Sequence, residues 1–262
     1  MGTLSTGNIS LGGKTSRLRF GKLAPKRSMK SVALSNFMTP VKVPFPQVHA
    51  WERPIDYGML GNDTVGDCTI AGALHKIMND RAVANAGLPS TFTTDQALSA
   101  YSAVTGYKED DPSTDNGAAL YDVLNYWQDA GFFGHKLAGR VTVDVQNIDM
   151  VKAAIFLFGG LYIGFVVPES VANDPLGTKH WRIVPGDKPT QEGHCVTQLG
   201  YGRAGLTNVS WGTLYTMTWD FWLQYADEAY ALVTPDFIKQ SGKSPTGFDL
   251  QGMLAELKVL VS

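Results

Sequence analysis

Helical and strand-like patterns occupy different halves of this chain, and that segregation limits its fold more than any other feature. From Cys68 onward, "CTIAGALHKIMNDRAVANAG" places Ile70, Ala73, Leu74, Ile77 and Met78 at helical spacing until Gly87 and Pro89 close the run. "TTDQALSAYSAVTG" opens with a Thr93–Gln96 capping box, and "DNGAALYDVLNYWQDAG" sets Leu120, Val123, Leu124 and Trp127 on one face before Gly131. After a fourth helix near 148–158 the character changes. "GLYIGFVV", "HCVTQLGYG", "LTNVSW", "LYTMTW" and "AYALV" are short, β-rich and separated by turn residues. Helices first and strands second argue against alternating βαβ units and predict an α+β fold, a helical lobe packed on an antiparallel sheet or barrel. The helical lobe is expected over about 60–135 and the β lobe over about 140–237. "FDLQGMLAELKVLV" predicts a closing helix at about 248–260, and "WDFWLQYADEAY" reads as an amphipathic packing helix.

With 262 residues the chain can bury a sizeable core. Its longest apolar run, "VKAAIFLFGGLYIGFVV", is broken by Gly159 and Gly160, so it reads as helix, turn and strand, and no membrane span is expected. No secretory signal is apparent at the N-terminus, which makes a cytoplasmic location the default expectation. Residues 1–51 carry eight of the 22 Lys and Arg and none of the 24 Asp and Glu. Residues 1–45, rich in Gly, Ser, Lys and Pro, are read as an extended arm preceding a domain over 46–262. The arm could act as a propeptide, or as a strap onto a protein assembly or larger particle. Removing it near Pro46 should raise activity in the first case and abolish association in the second. Nucleic acid would be touched at most weakly, through residues 14–30, because Asp220, Asp227 and Glu228 repel phosphates.

Two cysteines cannot form a disulfide scaffold, so both are read as thiols. In "GNDTVGDCTIAGALH" Cys68 follows a glycine-broken turn at the start of a helix, with Asp67 placed to cap it. A helix N-terminus and a nearby imidazolium lower a thiol's pKa and make it a nucleophile. The imidazole must come from elsewhere in the chain, and "EGHCVTQLGYG" offers His194 on an apolar strand. His49, His75, His135 and His180 are less well placed. Cys195, next to His194 on the strand, faces the other way and is expected in the core. No spacing suits a metal, Gly159–Gly160 lacks a phosphate-loop context, and no cofactor is expected.

The strings "NDTVGDC", "GHCVTQLGYG" and "VSWGT", in that order and at those distances, resemble the papain family of cysteine peptidases. The resemblance extends from about Trp51 to Phe237 and implies the papain-like fold. It makes Cys68 the nucleophile, His194 the base and Asn62 the oxyanion donor in place of the family's glutamine, with Gly66 and Gly193 in the supporting strings and Trp211 shielding the base. Asp67, beside the thiol, adds a like charge that would raise the thiol's pKa. The family's third member, an asparagine that orients the imidazole, falls at Val209. Asn208 lies one residue early and on the opposite strand face; Ser210 shares its parity, and both are candidate orienters. The implied function is a thiol hydrolase of peptide or isopeptide bonds. Two rivals are a papain-fold structural or interaction protein with weak or lost catalysis, and an acyl-transferring peptide ligase.

Overall fold

The computed structural model describes residues 6–11, 14–26, 32–37, 44–84, 91–238 and 243–261. In chain order, β1 (Thr6–Leu11) and β2 (Lys14–Arg19) come first, and they pair antiparallel with Thr6 opposite Arg19. The segment read as an extended arm thus contains a hairpin; main-chain pairing needs no apolar alternation, so periodicity gave no sign of it. A two-residue strand, β3 (His49–Ala50), pairs with the main sheet.

The helical part comprises α1 (Cys68–Ala84), α2 (Thr94–Thr105) and α3 (Leu120–Asp129). The predicted capping box is present: Gln96 N–H donates to Thr93 Oγ1 (3.2 Å) and Thr93 N–H to Gln96 Oε1 (2.9 Å). In α3 the predicted stripe of Leu120, Val123, Leu124 and Trp127 is fully buried. Helix α1 is buried along its whole length from Cys68 to Asp80, which exceeds one apolar stripe and makes it the central helix. Its buried charges are paired: Lys76 bridges Asp80 and also donates to the Phe158 carbonyl, while Thr234 Oγ1 donates to the other Asp80 oxygen. Gly72, one turn after Cys68, lets the helix approach the sheet, since a Cβ there would meet Cys195 Sγ and Tyr162 at 3.2 Å.

The second half supplies β4 (Gly139–Thr142), α4 (Ile148–Phe158), β5 (Leu161–Pro168), α5 (Glu169–Asn173), β6 (His180–Trp181), β7 (Pro189–Tyr201), β8 (Gly205–Ser210) and β9 (Thr213–Thr218). Then follow α6 (Trp219–Tyr225), β10 (Ala226–Val233) and α7 (Leu250–Val261). The sheet order is β4-β10-β5-β7-β8-β9-β6, antiparallel except for the β6–β9 pair. "WDFWLQYADEAY" is not one helix, as its sequence suggested. The helix stops at Tyr225 because Ala226 pairs with Phe165 and the chain joins the sheet as β10.

One core cluster lies between the sheet and α4, α6 and α7; the other lies between α1, α2, α3 and the facing residues Tyr162, Cys195, Tyr230 and Leu232. Among the described residues no helix is long and apolar enough to cross a membrane.

Candidate active site

Residues 20–26 follow β2, and their stretch from Gly21 to Leu23 runs between the helical part and the sheet. Lys22 N–H donates to the Gly193 carbonyl (3.0 Å) on the sheet side. On the helical side Ala118 N–H donates to the Gly21 carbonyl (2.8 Å) and Leu23 N–H to the Ala118 carbonyl (2.9 Å), a parallel bridge centred on Lys22 and Ala118. Three glycines make room for this strand. A Cβ on Gly117 would lie 2.1 Å from the Gly21 carbonyl oxygen, one on Gly193 2.5 Å from the Lys22 oxygen, and one on Gly66 3.2 Å from the Gly21 Cα. Conversely, a Cβ on Gly21 would strike the Gly66 carbonyl oxygen at 1.7 Å, so only glycine fits there.

Cys68 and His194 both touch this strand. Cys68 is buried at the start of α1, and backbone hydrogen bonding with Gly21 and Cys195 acts on its thiol. Burial nevertheless dominates and pushes the thiol up to about 12, against an ordinary 9.0, with the Asp67 charge adding to the rise. His194 is buried too, and desolvation lowers its pKa to about 3. Its ring stacks on Trp211 (centroids 4.5 Å apart, planes 18° apart) and meets the edges of Phe20 (5.5 Å) and Phe165 (5.6 Å). The sequence predicts a thiolate beside an imidazolium. With Phe20 and Gly21 in place the structure favours the neutral form of both groups.

Ser210 is the candidate orienter that reaches the imidazole: His194 Nε2 and Ser210 Oγ hydrogen-bond at 2.8 Å, and His194 Nδ1 has no partner among the described residues. Asn208 is buried on β8, but neither its amide nitrogen nor its amide oxygen has a hydrogen-bond partner among the described residues. Val209, where the resemblance would put the family's asparagine, packs with Tyr57 and Leu199. Trp211 is carried over the imidazole by a two-residue hairpin loop in which Trp211 and Gly212 both have positive φ (46° and 72°), the geometry of the tight turn that joins twisted strands.

The amide of Asn62 is turned to backbone carbonyls, donating to Val65 O (3.2 Å) and to Arg19 O of the arm (3.3 Å). Asp67 differs from its expected capping role. Its carbonyl accepts the Ile70 and Ala71 N–H groups, whereas its buried carboxyl interacts with its own backbone and the Asn62 side chain rather than with the amides of the first turn. Burial, followed by the charge of Asp115, raises its pKa well above the ordinary carboxylate value. Cys195 packs against Gly72 on the helical side, as strand alternation required. The other histidines have structural partners: His75 meets the Gly58 carbonyl, His135 pairs with Asp236, His180 with Thr216, and His49 packs on Trp51.

Sequence reasoning missed two parts of the cleft. Asp115 accepts Gly66 N–H (3.1 Å) and the Tyr101 hydroxyl (2.9 Å), and that hydroxyl accepts Gly117 N–H (2.8 Å), tying two of the cleft's glycine loops together. Asp227 and Glu228, at the start of β10, receive the Lys22 side chain. The acidic pair was visible as "ADEA", but nothing local marked it as facing the cleft.

No family model and no curated protein matches the chain in sequence. Solved structures do match in shape. Xylellain, a cysteine protease from Xylella fastidiosa, superposes with a TM-score of 0.64 over 81% of this chain and 95% of its own, at 17% identity. Procathepsin B S9 from Trypanosoma congolense superposes with a TM-score of 0.56 over 83% of this chain and 87% of its own, at 9% identity. The chain therefore has the mixed α+β fold of the papain-like cysteine proteases.

Proposed function

We propose that this protein is a papain-like thiol hydrolase of peptide bonds whose cleft is filled, in the form described, by its own residues Phe20 to Leu23. One observation carries the proposal: Phe20 and Gly21 lie against the candidate base and the candidate nucleophile, while the backbone of Gly21 to Leu23 hydrogen-bonds both walls as an extended peptide would. The cleft thus holds a peptide main chain beside a thiol at a helix N-terminus and an imidazole on the facing strand. Its occupant explains the neutral pair, since both groups are desolvated beneath it.

Once the arm is displaced, water returns to the pair and the helix N-terminus favours a Cys68 thiolate beside protonated His194. The thiolate attacks the substrate carbonyl carbon. Negative charge collects on the carbonyl oxygen, where Cys68 N–H and the freed Asn62 amide donate. His194 protonates the departing amine, then takes a proton from the water that releases the acyl group from sulfur. Ser210 hydrogen-bonds the far imidazole nitrogen. Unlike an amide oxygen, a hydroxyl both donates and accepts, so it holds the ring while selecting its tautomer less strictly.

A second reading, a papain-fold binding protein without turnover, draws on one specific feature: the imidazole is met by the Ser210 hydroxyl, while Val209 stands where the resemblance puts the family's asparagine. Labelling with a peptidyl epoxide separates the two. In a Gly21→Ala protein, which cannot seat the arm, an active pair labels Cys68 below neutral pH and loses that reactivity in a His194→Ala background. A binding protein labels slowly along an ordinary thiol titration.

A further inference from the structure

Lys22 is a basic residue whose side chain is only 1% exposed, and its stem crosses the place where a side chain on residue 164 would stand. A Cβ on Gly164 would lie 1.9 Å from Lys22 Cε. The ammonium group ends 2.7 Å from Asp227 Oδ2 and 3.2 Å from Glu228 Oε1, with Glu228 held further by the Tyr230 hydroxyl (3.1 Å). The pocket is therefore a narrow slot beside Gly164 with two carboxylates at its end, entered from the main chain that lies along the cleft. The residue before Lys22 is the one against the Cys68 thiol.

We infer that, with the arm displaced, this slot is a specificity pocket that selects substrates carrying Arg or Lys within two residues of the bond cleaved. The inference rests on the hydrolase reading above for its substrate but not for its chemistry of recognition. In an empty slot the buried Glu228 carboxylate is poorly solvated and the partly buried Asp227 adds a like charge beside it, so a cation restores what burial removes. An apolar side chain leaves them unpaired, which penalises the wrong ligand as well as rewarding the right one. Asp227 Oδ1 has no partner among the described residues while Lys22 is bound. Arginine brings five donors in a planar fork, so it can engage that oxygen as well as those lysine reaches.

The test uses full-length Gly21→Ala protein, with full-length Lys22→Gln as a second way of loosening the arm should the first fail to fold. Iodoacetamide alkylation of Cys68 reports cleft occupancy without requiring turnover. Blocked tripeptide amides differing only in Arg, Lys, Leu or Glu at the central position are added as protectants. The inference predicts that the Arg and Lys peptides protect Cys68 at concentrations lower by about thirtyfold or more than the Leu peptide needs, the scale of losing one partner of a buried charge pair. An Asp227→Asn/Glu228→Gln background should erase that difference, and Gly164→Ala should weaken Arg and Lys alone. Equal protection by Arg and Leu overturns the inference, as does protection by neither. A thiol that stays closed in both variants also overturns it, because the arm would then not be held through this slot. Cleavage of the same peptides is read separately: protection by Arg without turnover leaves the pocket standing and removes the hydrolase reading, whereas equal turnover of Arg and Leu removes the pocket alone.

Discussion

The same short strand closes two neighbouring parts of the cleft by opposite physical means. At the candidate dyad, Phe20 and Gly21 exclude water, and the result is loss of charge: the thiol rises to about 12 and the imidazole falls to about 3. Next door, Lys22 brings a charge into a buried slot and pairs it with Asp227 and Glu228. Glu228 shows the balance directly: burial raises its pKa while Lys22 pulls it down. An apolar plug silences chemistry by removing the ions it needs, whereas an ionic slot gains grip from its occupant's charge. Displacing one strand should therefore restore ions at the first place and leave unpaired ions at the second.

The largest effect that could break this contrast is loss of the nucleophile or the base. With the arm displaced, Cys68→Ala or His194→Ala should lower peptide hydrolysis by about a millionfold, the scale on which members of a catalytic unit fail. Activity surviving Cys68→Ala would place the chemistry elsewhere. Next comes charge reversal in the slot. Lys22→Glu sets a third carboxylate against Asp227 and Glu228, and breaking such a pair costs about 3–5 kcal/mol. Faster Cys68 alkylation and increased hydrogen exchange over residues 18–26 are expected; unchanged exchange would show that the slot does not hold the arm.

Acid should act on the apolar part. A His194 pKa lowered from 6.5 to about 3 means the released or unfolded forms bind the proton more tightly. That contribution to the arm-seated form is complete above about 6.5 and is lost as pH falls toward 3. Hydrogen exchange of residues 18–26 should thus accelerate between those values in the native protein, and much less so in His194→Ala. At the other end, the raised Cys68 pKa stabilises the seated form relative to one with a free thiol below the ordinary 9.0, and that advantage fades as pH climbs toward 12. The smallest effect is expected at Ser210. Ser210→Ala removes one hydrogen bond to the imidazole, about 1 kcal/mol, and should reduce kcat severalfold with little change in KM. Asn208→Ala should leave kcat close to the parent value, since its amide makes no bond to His194.

The helical half was readable because its signals are local. Thr93 and Gln96 cap one helix within four residues, and Leu120, Val123, Leu124 and Trp127 recur at the period that buries one face. Cys68 and His194 stood out because each sits in a short string with a chemical reason for its form. What escaped notice depends on distant partners. Phe20, Gly21 and Lys22 occur in a Gly- and Ser-rich segment with no periodic pattern, and acquire meaning only against His194, Gly66 and Asp227. The end of α6 at Tyr225 follows from Ala226 pairing with Phe165, some sixty residues earlier in the chain. Strand parity separated Asn208 and Ser210 from Val209 but could not choose between them; what differs is where β8 ends and its hairpin turns, which puts Ser210 beside the imidazole.

The central claim is that residues 20 and 21 suppress the ionisation of Cys68 and His194 by excluding water from both. It is tested most directly by the pH dependence of Cys68 alkylation in native and Gly21→Ala proteins. The account predicts that the native thiol reacts appreciably only at strongly alkaline pH, while the variant reacts below neutral pH through a step that disappears in Gly21→Ala/His194→Ala. Superimposable native and Gly21→Ala profiles, in a variant shown to be folded, would contradict it.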